Sequence, residues 1–168
     1  MKKFYFGGQF NFRYKDYSIE KIKEDYRSKI LGDYRLWMNT PTGGMVDVEG
    51  GNYYVGPFYF TEYKDGGHVV DFESGCIDKV TDCFFVLSNA SAPGTVTEIV
   101  QAAMKSKEIH IFYVRKDIPG SEVDTEFKND LWYPITFAKE NGNTEVWGFD
   151  TYEEAVEACV KRFKELTR

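Results

Sequence analysis

Apolar and polar residues in the middle of the chain alternate in blocks that predict a strand, a loop, a helix and a second strand. Phe84 to Leu87 is a short apolar run of the length expected for a buried strand. Ser88 to Gly94 consists of small, polar and turn-forming residues and predicts a loop. Thr95 opens a predicted helix whose apolar residues recur at helical spacing, at Val96, Ile99, Val100 and Ala103. Glu108 to Val114 is the second apolar run, so the block predicts a right-handed parallel βαβ unit.

Similar patterns predict the elements on either side of this unit. Further strands are predicted at Lys3–Gly7, Asn52–Val55 and Thr144–Phe149, and Thr40–Gly51 predicts a loop or a small hairpin. Helices are predicted from Ser18 to Gly32, from Gly75 to Thr81, from Asn129 or Asp130 towards Lys139, and after a capping box at Thr151–Glu154. The predicted fold is therefore α/β, a flavodoxin-like or Rossmann-like three-layer sandwich with a mainly parallel sheet of about five strands. The length of 168 residues suits one domain over residues 1–168.

Net charge limits the classes of partner. The chain has 27 acidic and 21 basic residues, a formal net charge of -6, and no long run of lysine or arginine. A nucleic-acid polymer is therefore disfavoured as a partner, whereas a nucleoside or nucleotide monomer remains compatible with a locally polar pocket. The N-terminus has no signal-peptide pattern and no apolar run approaches a membrane span, so we expect a cytoplasmic protein that does not bind membranes.

Cysteine and histidine usage argues against a disulfide framework and a metal site. The chain has three cysteines, Cys76, Cys83 and Cys159, and an odd number without paired spacing argues against disulfides. Their apolar neighbours predict buried thiols in a reducing compartment. His68 and His110 are the two histidines, and the chain contains no CxxC or HxxxH pattern. We therefore expect neither a metal nor another cofactor.

Glu98 is the candidate for chemistry, and its position has two interpretations. In parallel sheets ligands bind at the carboxyl ends of the strands, where the loop Ser88 to Gly94 lies, and Glu98 is predicted one turn into the helix that follows, facing this crevice. In one interpretation Thr95 and Glu98 form a capping box that only closes the helix terminus. In the other, the helix dipole favours an ionised carboxylate, which can attack an anomeric carbon or stabilise an oxocarbenium-like centre. Periodicity does not separate the two interpretations.

Three stretches in order resemble the nucleoside 2-deoxyribosyltransferase family. The central stretch has an acid before an apolar strand, a small-residue loop, Gly-Thr, a glutamate and then small helical residues, at Asp82, Gly94-Thr95, Glu98 and Ala102-Ala103. The N-terminal stretch FYFGGQF (Phe4–Phe10) resembles the opening strand and sugar-binding turn of the family. The stretch YYVGPFYF (Tyr53–Phe60) is similar to a Gly-Pro-Phe segment of some bacterial and phage members. Together the stretches cover about half of the chain.

The resemblance implies cleavage or transfer at the N-glycosidic bond of a nucleoside or nucleotide. Glu98 would be the catalytic carboxylate, and an acid ahead of the Asp82-led strand, either Asp71 or Glu73, would assist protonation of the base. Both acids have the alternative role of capping the predicted helix that follows them. Residues expected to bind substrate lie near the strand ends and the adjoining loops: Tyr5, Gly7, Gly8, Gln9, Gly56, Pro57, Phe58, Asn89, Ser91, Gly94, Thr95 and Trp132. Gly7-Gly8 also fits an ordinary turn, and Phe58 also fits an apolar cluster under the loop.

Ala92 departs from the family pattern. Some members have an aspartate at this position that binds sugar hydroxyls, and relatives that prefer phosphorylated substrates have a serine. The alternative function is therefore a non-catalytic sensor that binds a nucleotide-like ligand on the same fold. The family also implies a homo-oligomer in which residues 117–130, or the helix after them, approach a neighbour's pocket. The base, the sugar and the choice between transfer and hydrolysis stay open.

Overall fold

A computed structural model describes residues 1–8, 23–32, 45–58, 66–88, 93–115 and 132–168. These residues form six strands, β1 (Lys3–Gly8), β2 (Val46–Glu49), β3 (Asn52–Gly56), β4 (Asp82–Leu87), β5 (Glu108–Val114) and β6 (Asn143–Phe149). They also form five helices, α1 (Tyr26–Leu31), α2 (Gly66–Lys79), α3 (Pro93–Met104), α4 (Trp132–Asn141) and α5 (Tyr152–Thr167). None of these helices is long and apolar enough to cross a membrane.

The strands form a mainly parallel sheet in the order β2-β3-β1-β4-β5-β6. β2 lies in the stretch predicted as a loop or a small hairpin and pairs antiparallel with β3, and the other neighbours are parallel. β4 and β5 lie side by side from the Asp82–Glu108 pair to the Leu87–Tyr113 pair, which confirms the predicted parallel unit. Because the chain leaves β1 towards β3 and returns to β4 on the other side, the strand order reverses between β1 and β4. Ligand crevices of doubly wound sheets form at such a point, outside the carboxyl ends of the strands.

Side chains of successive strand residues pack on opposite faces and create two apolar layers. Tyr5 and Phe85 belong to the cluster that packs under α2, α3 and α4. Phe4, Phe6 and Phe84 belong to the cluster that packs under α1 and α5. Phe163 of α5 meets the rings of Phe4 and Phe6 edge-on, with centroids 5.0 and 5.5 Å apart. The arrangement confirms the α/β three-layer, flavodoxin-like fold.

Two helices begin earlier than the sequence pattern predicts. α2 begins at Gly66 and not at Gly75, so Asp71 and Glu73 lie inside the helix and the prediction that they cap it is wrong. Glycine propensity disfavours this helix by about 1 kcal/mol per glycine, but burial of Cys76 and Ile77 in the core outweighs that cost. α3 begins at Pro93 because proline is tolerated in a first helical turn.

Two helix termini agree with the predictions. Thr151 and Glu154 form the predicted reciprocal capping box at the start of α5. Gly32 follows α1 in the left-handed conformation, with φ 73°, and donates its N–H to the Ser28 carbonyl. Pro134 lies in the first turn of α4. The predicted cap at Ser18 lies outside the described residues, and the α1 cap is Asp25.

A chain of charged groups joins the amino ends of the strands to α5. Lys2 Nζ lies 2.7 Å from Oδ1 of the buried Asp82, and His110 Nε2 lies 3.5 Å from the same oxygen. The other ring nitrogen of His110 is 3.0 Å from Glu145 Oε2, and Arg162 Nη2 is 2.9 Å from that oxygen. The network lies at the sheet end opposite the expected crevice, and we assign it a structural role.

We expect Asp82→Asn to lower the free energy of unfolding by about 2 kcal/mol at neutral pH. Burial alone would raise the pKa of Asp82, but hydrogen bonds with His110, Lys2 and Thr81 outweigh burial and hold it below its usual value. The stability from Asp82 is therefore present above the unfolded-state pKa of about 4 and is lost as pH falls through the lower folded-state value. Urea unfolding at neutral and acidic pH measures this difference, which should shrink in acid.

The matched control is Asp78→Asn, because Asp78 pairs with Lys105 on the surface and should matter little. Equal stabilities of the Asp82 variant and the wild type at neutral pH would contradict the structural role.

Candidate active site

Glu98 lies in α3 with its carboxyl group directed at the end of β1. The Tyr5 hydroxyl donates a hydrogen bond to Glu98 Oε1 at 2.9 Å. A Cβ atom on Gly7 would lie 2.5 Å from Glu98 Oε2 and 2.5 Å from a ring atom of Phe85. The absent side chain of Gly7 therefore provides the space that the carboxyl group occupies.

The structure contradicts the capping-box interpretation of Glu98. Thr95 is buried within α3 rather than at its cap, because the helix has already begun at Pro93. The carboxyl group of Glu98 is bonded to Tyr5, and Oε2 is inaccessible to solvent without a hydrogen-bond donor. Buried polar atoms are normally satisfied, so this one requires an explanation.

Glu73 approaches the same carboxyl group from α2. The negative charge of Glu73 raises the pKa of Glu98, and a hydrogen bond between the two carboxyl groups affects the pKa of both. Asp71, the alternative candidate, is exposed to solvent on the same helix. The fold thus brings Glu73, rather than Asp71, to Glu98.

Burial and mutual repulsion hold a proton on this pair of acids. Burial, followed by the negative charge of Glu73, raises the pKa of Glu98 to about 8. Burial also raises the pKa of Glu73, although the hydrogen bond with Glu98 opposes the rise. Tyr5 stays a neutral donor, since burial and then the Glu98 charge raise its pKa well above the usual value. With its pKa at about 8, Glu98 is mostly protonated at neutral pH and can donate a hydrogen bond to Glu73.

The end of β3 packs closely against α2, the helix that carries Glu73. A Cβ atom on Gly56 would lie 2.8 Å from Cys76 Sγ, so this glycine allows α2 to approach the strand closely. Burial raises the pKa of Cys76 to about 12, and the thiol is therefore neutral and a poor nucleophile. Pro57 is buried, and Phe58 is buried against Tyr54 and Phe72 in the core layer.

The remaining predicted residues occupy several positions. Gly8 ends β1 so close to β4 that a Cβ atom would lie 2.5 Å from the Val86 carbonyl oxygen. Gly94 is exposed in the first turn of α3, and Trp132 begins α4. Gln9, Asn89, Ser91, Ala92 and residues 117–130 lie outside the described residues.

Sequence analysis missed a buried ion pair near this site. Asp25 and Arg27 are 1% and 2% exposed and pair at 2.6 Å between Asp25 Oδ2 and Arg27 Nη2. Residues two positions apart do not face each other on a helix, and a helix was predicted here, so periodicity gave no signal for the pair. Within the described ranges, no cluster of three or more His, Cys, Asp or Glu side chains is arranged to hold a metal ion.

Comparisons with known proteins identify a structural neighbour but no sequence relative. The sequence matches no family model, and no curated protein matches it. The solved structure of the Clostridium botulinum CMP N-glycosidase BcmB is similar to this chain, with a TM-score of 0.51. The two share 13% sequence identity, and the similarity covers 94% of this chain and 96% of that chain. At this identity the likeness concerns the fold.

We expect Glu98→Gln to make the protein more stable at pH 8 than the wild type. A carboxyl whose folded-state pKa is raised contributes stability that is complete below the unfolded-state pKa and is lost as pH rises through the folded-state pKa. For Glu98 that loss runs from about pH 4.5 to about pH 8. The glutamine amide keeps the shape, accepts from Tyr5 and donates to Glu73 without this loss.

Thermal or urea unfolding between pH 4.5 and 8 measures the effect. The stability gain of the variant should grow with pH to on the order of a few kcal/mol. A difference that stays constant with pH would contradict the raised pKa.

Proposed function

We propose that this protein cleaves or transfers the N-glycosidic bond of a nucleoside or nucleotide, with Glu98 as the residue that meets C1′ of the sugar. The observation that carries the proposal is the enclosed carboxyl pair of Glu98 and Glu73 beside Gly7, at the switch point of the sheet. The fold shared with a CMP N-glycosidase supports the same class of chemistry. The resemblance of the three sequence stretches to nucleoside 2-deoxyribosyltransferases points in the same direction.

The shared proton provides both groups that the reaction needs. Passing it from Glu98 to Glu73 creates an ionised Glu98 and a protonated Glu73 at the same time. Tyr5 keeps its hydrogen bond to Glu98 Oε1 and stabilises the carboxylate. The working state is therefore singly protonated, with the proton on the acid that assists the base.

Cleavage of the C1′–N bond starts from this state. Glu98 attacks C1′, or stabilises its cationic transition state, as the C1′–N bond breaks and its electron pair moves to the base. Glu73 gives its proton to the departing base. Water, or a second base, then attacks C1′ and releases a proton that returns to the carboxyl pair. Hydrolysis and transfer share every step up to this last one.

The substrate is proposed to be a small nucleoside or nucleotide rather than a polymer, in keeping with the net charge of -6. Glycines at the ends of β1 and β3 let Glu98 and Cys76 pack directly against the strand backbone, which places the carboxyl pair at the carboxyl ends of the strands. A homo-oligomer completed by residues 117–130 of a neighbour stays part of the proposal and is measurable by light scattering.

We expect Glu98→Gln to lower the rate of base release or exchange by at least roughly a hundredfold, equivalent to about 2.7 kcal/mol of barrier. The assay is chromatographic detection of free base from a panel of ribo- and deoxyribonucleosides and their 5′-monophosphates. Wild-type turnover with an equally active, folded Glu98→Gln variant would contradict the mechanism. Binding of a nucleotide by the wild type without turnover of any substrate would favour the sensor function.

Variants of the two acids on α2 distinguish the general acid. Glu73→Gln should slow release of ordinary bases by about a hundredfold and have a much smaller effect on a riboside whose leaving group needs no proton. Asp71→Asn, two residues away on the exposed face, should leave both rates unchanged. The reverse pattern would assign the acid role to Asp71. The rate should also be bell-shaped in pH, because both the doubly protonated and the fully ionised pair are inactive.

A further inference from the structure

The end of β1 is held from the opposite side of the sheet by two side chains of α1. The Tyr26 hydroxyl donates a hydrogen bond to the Gly7 carbonyl at 2.6 Å. Arg27 Nη1 donates to the Phe6 carbonyl at 3.1 Å. Gly7 is the residue on which the Glu98 carboxyl rests, so these two bonds fix the floor of the candidate site.

The sheet itself supports this part of β1 on one side only. Pairing of β1 with β3 stops at Tyr5 and Gly56, whereas pairing with β4 continues to Gly8 and Val86. Tyr26 and Arg27 supply donors to the two β1 carbonyls that lie beyond the end of the β3 ladder. Without them the last residues of β1 would depend on β4 alone.

Arg27 reaches this position through a fully enclosed ion pair. Arg27 Nε lies 2.7 Å from Asp25 Oδ1 and Nη2 lies 2.6 Å from Asp25 Oδ2, a bidentate arrangement. The guanidinium carbon also lies 5.1 Å from the centre of the Tyr26 ring. Because desolvation makes a buried ion pair a poor source of stability, its placement beside a carboxyl pair invites a functional explanation.

We propose that Tyr26 and Arg27 are positioning residues for Glu98, and that the buried Asp25–Arg27 pair holds a charge that acts on the Glu98–Glu73 pair. The inference rests on the proposed function for its catalytic meaning, but its electrostatic part concerns the folded protein alone. Tyr26 acts through the position of Gly7. Arg27 acts through the position of Phe6 and through its charge.

The electrostatics agree with this assignment. Burial raises the pKa of both carboxyls, and Glu73 raises that of Glu98 further, whereas the charge of Arg27 lowers both. Asp25, paired with Arg27, offsets part of that positive field. Other titratable groups near the pair come from β1, α2 and β4, namely Tyr5, Cys76 and Cys83. These three stay neutral near pH 7, because burial raises the pKa of each.

Two variants should shift the carboxyl titration in opposite directions. Arg27→Met removes the cation and should raise both titration midpoints of the pair by at least about 0.5 pH unit. Asp25→Asn removes the partner anion, leaves more of the Arg27 charge uncompensated and should lower them. General loosening of the fold cannot produce shifts of opposite sign. Lys29→Met, which removes an exposed cation from the same helix, is the matched control and should shift neither midpoint.

The measurement is a carbon-13 NMR titration of glutamate side-chain carboxyls, with Glu98 and Glu73 assigned from Glu98→Gln and Glu73→Gln. Arg27→Lys replaces the methionine variant if that variant does not fold, because lysine keeps the positive charge but cannot make the bidentate contact with Asp25. It should leave the midpoints near their wild-type values while lowering the rate. Tyr26→Phe should lower kcat about tenfold, equivalent to the loss of one hydrogen bond, with the pH profile unmoved.

The outcomes separate this inference from the proposed function. Opposite shifts in a protein that turns over no nucleoside or nucleotide would support the electrostatic role of the ion pair and reject the function. Turnover that requires Glu98, combined with no shifts or with shifts of the same sign, would overturn the inference. A Tyr26→Phe variant with wild-type kcat would remove the positioning role of Tyr26.

Discussion

The enclosure of one carboxyl group against a glycine is the constraint on which the rest of the site depends. Glu98 fits beside β1 only because Gly7 has no side chain. In this position the Oε2 atom of Glu98 is inaccessible to water. If Glu98 were ionised, its Oε2 atom would lack a donor and the negative charge would be close to a second acid. Three features reduce the free-energy cost of burying this carboxyl group. They are the proton held by the acid pair, the hydrogen bond donated by Tyr5 and the positive charge of Arg27.

The fold separates the regions that supply stability from the region that bears this cost. Aromatic packing on both faces of the sheet and the Asp82–His110–Glu145 network at the amino ends hold the strands in register. The carboxyl ends can then carry an unfavourable acid pair without loss of the fold. Local electrostatic strain of this kind is a recurrent property of sites that move protons.

Sequence patterns were sufficient for the architecture because they report burial. The apolar runs at 84–87 and 109–114, with a helical repeat between them, predicted adjacent parallel strands, and Thr151–Glu154 predicted a helix start that the structure confirms. The start of α2 was missed because glycines at 66, 67 and 75 weaken local helix propensity, whereas long-range packing of Cys76 and Ile77 determines the helix.

The sequence indicated the residues of the candidate site, including Tyr5, Gly7 and Glu73, but not the contacts that they make with Glu98. Glu98 was found because its position after a strand and a loop is a local property of the sequence. The contacts from Tyr5 and Gly7 cross more than ninety positions of the chain, and the coupling to Glu73 depends on how α2 packs against α3. The Asp25–Arg27 pair left no periodic signal, since its effect arises only when α1 docks on the end of β1.

The most direct test of a shared proton at the centre of the site is infrared difference spectroscopy of the protein at neutral pH. The C=O stretch of a protonated carboxylic acid is separate from the bands of ionised carboxylates, and most surface acids are ionised at this pH. The wild type should show one protonated-acid band that is sensitive to deuterium exchange and is absent from Glu98→Gln. A wild-type spectrum without that band, with all carboxyls ionised at neutral pH, would contradict the enclosure of a proton by Glu98 and Glu73.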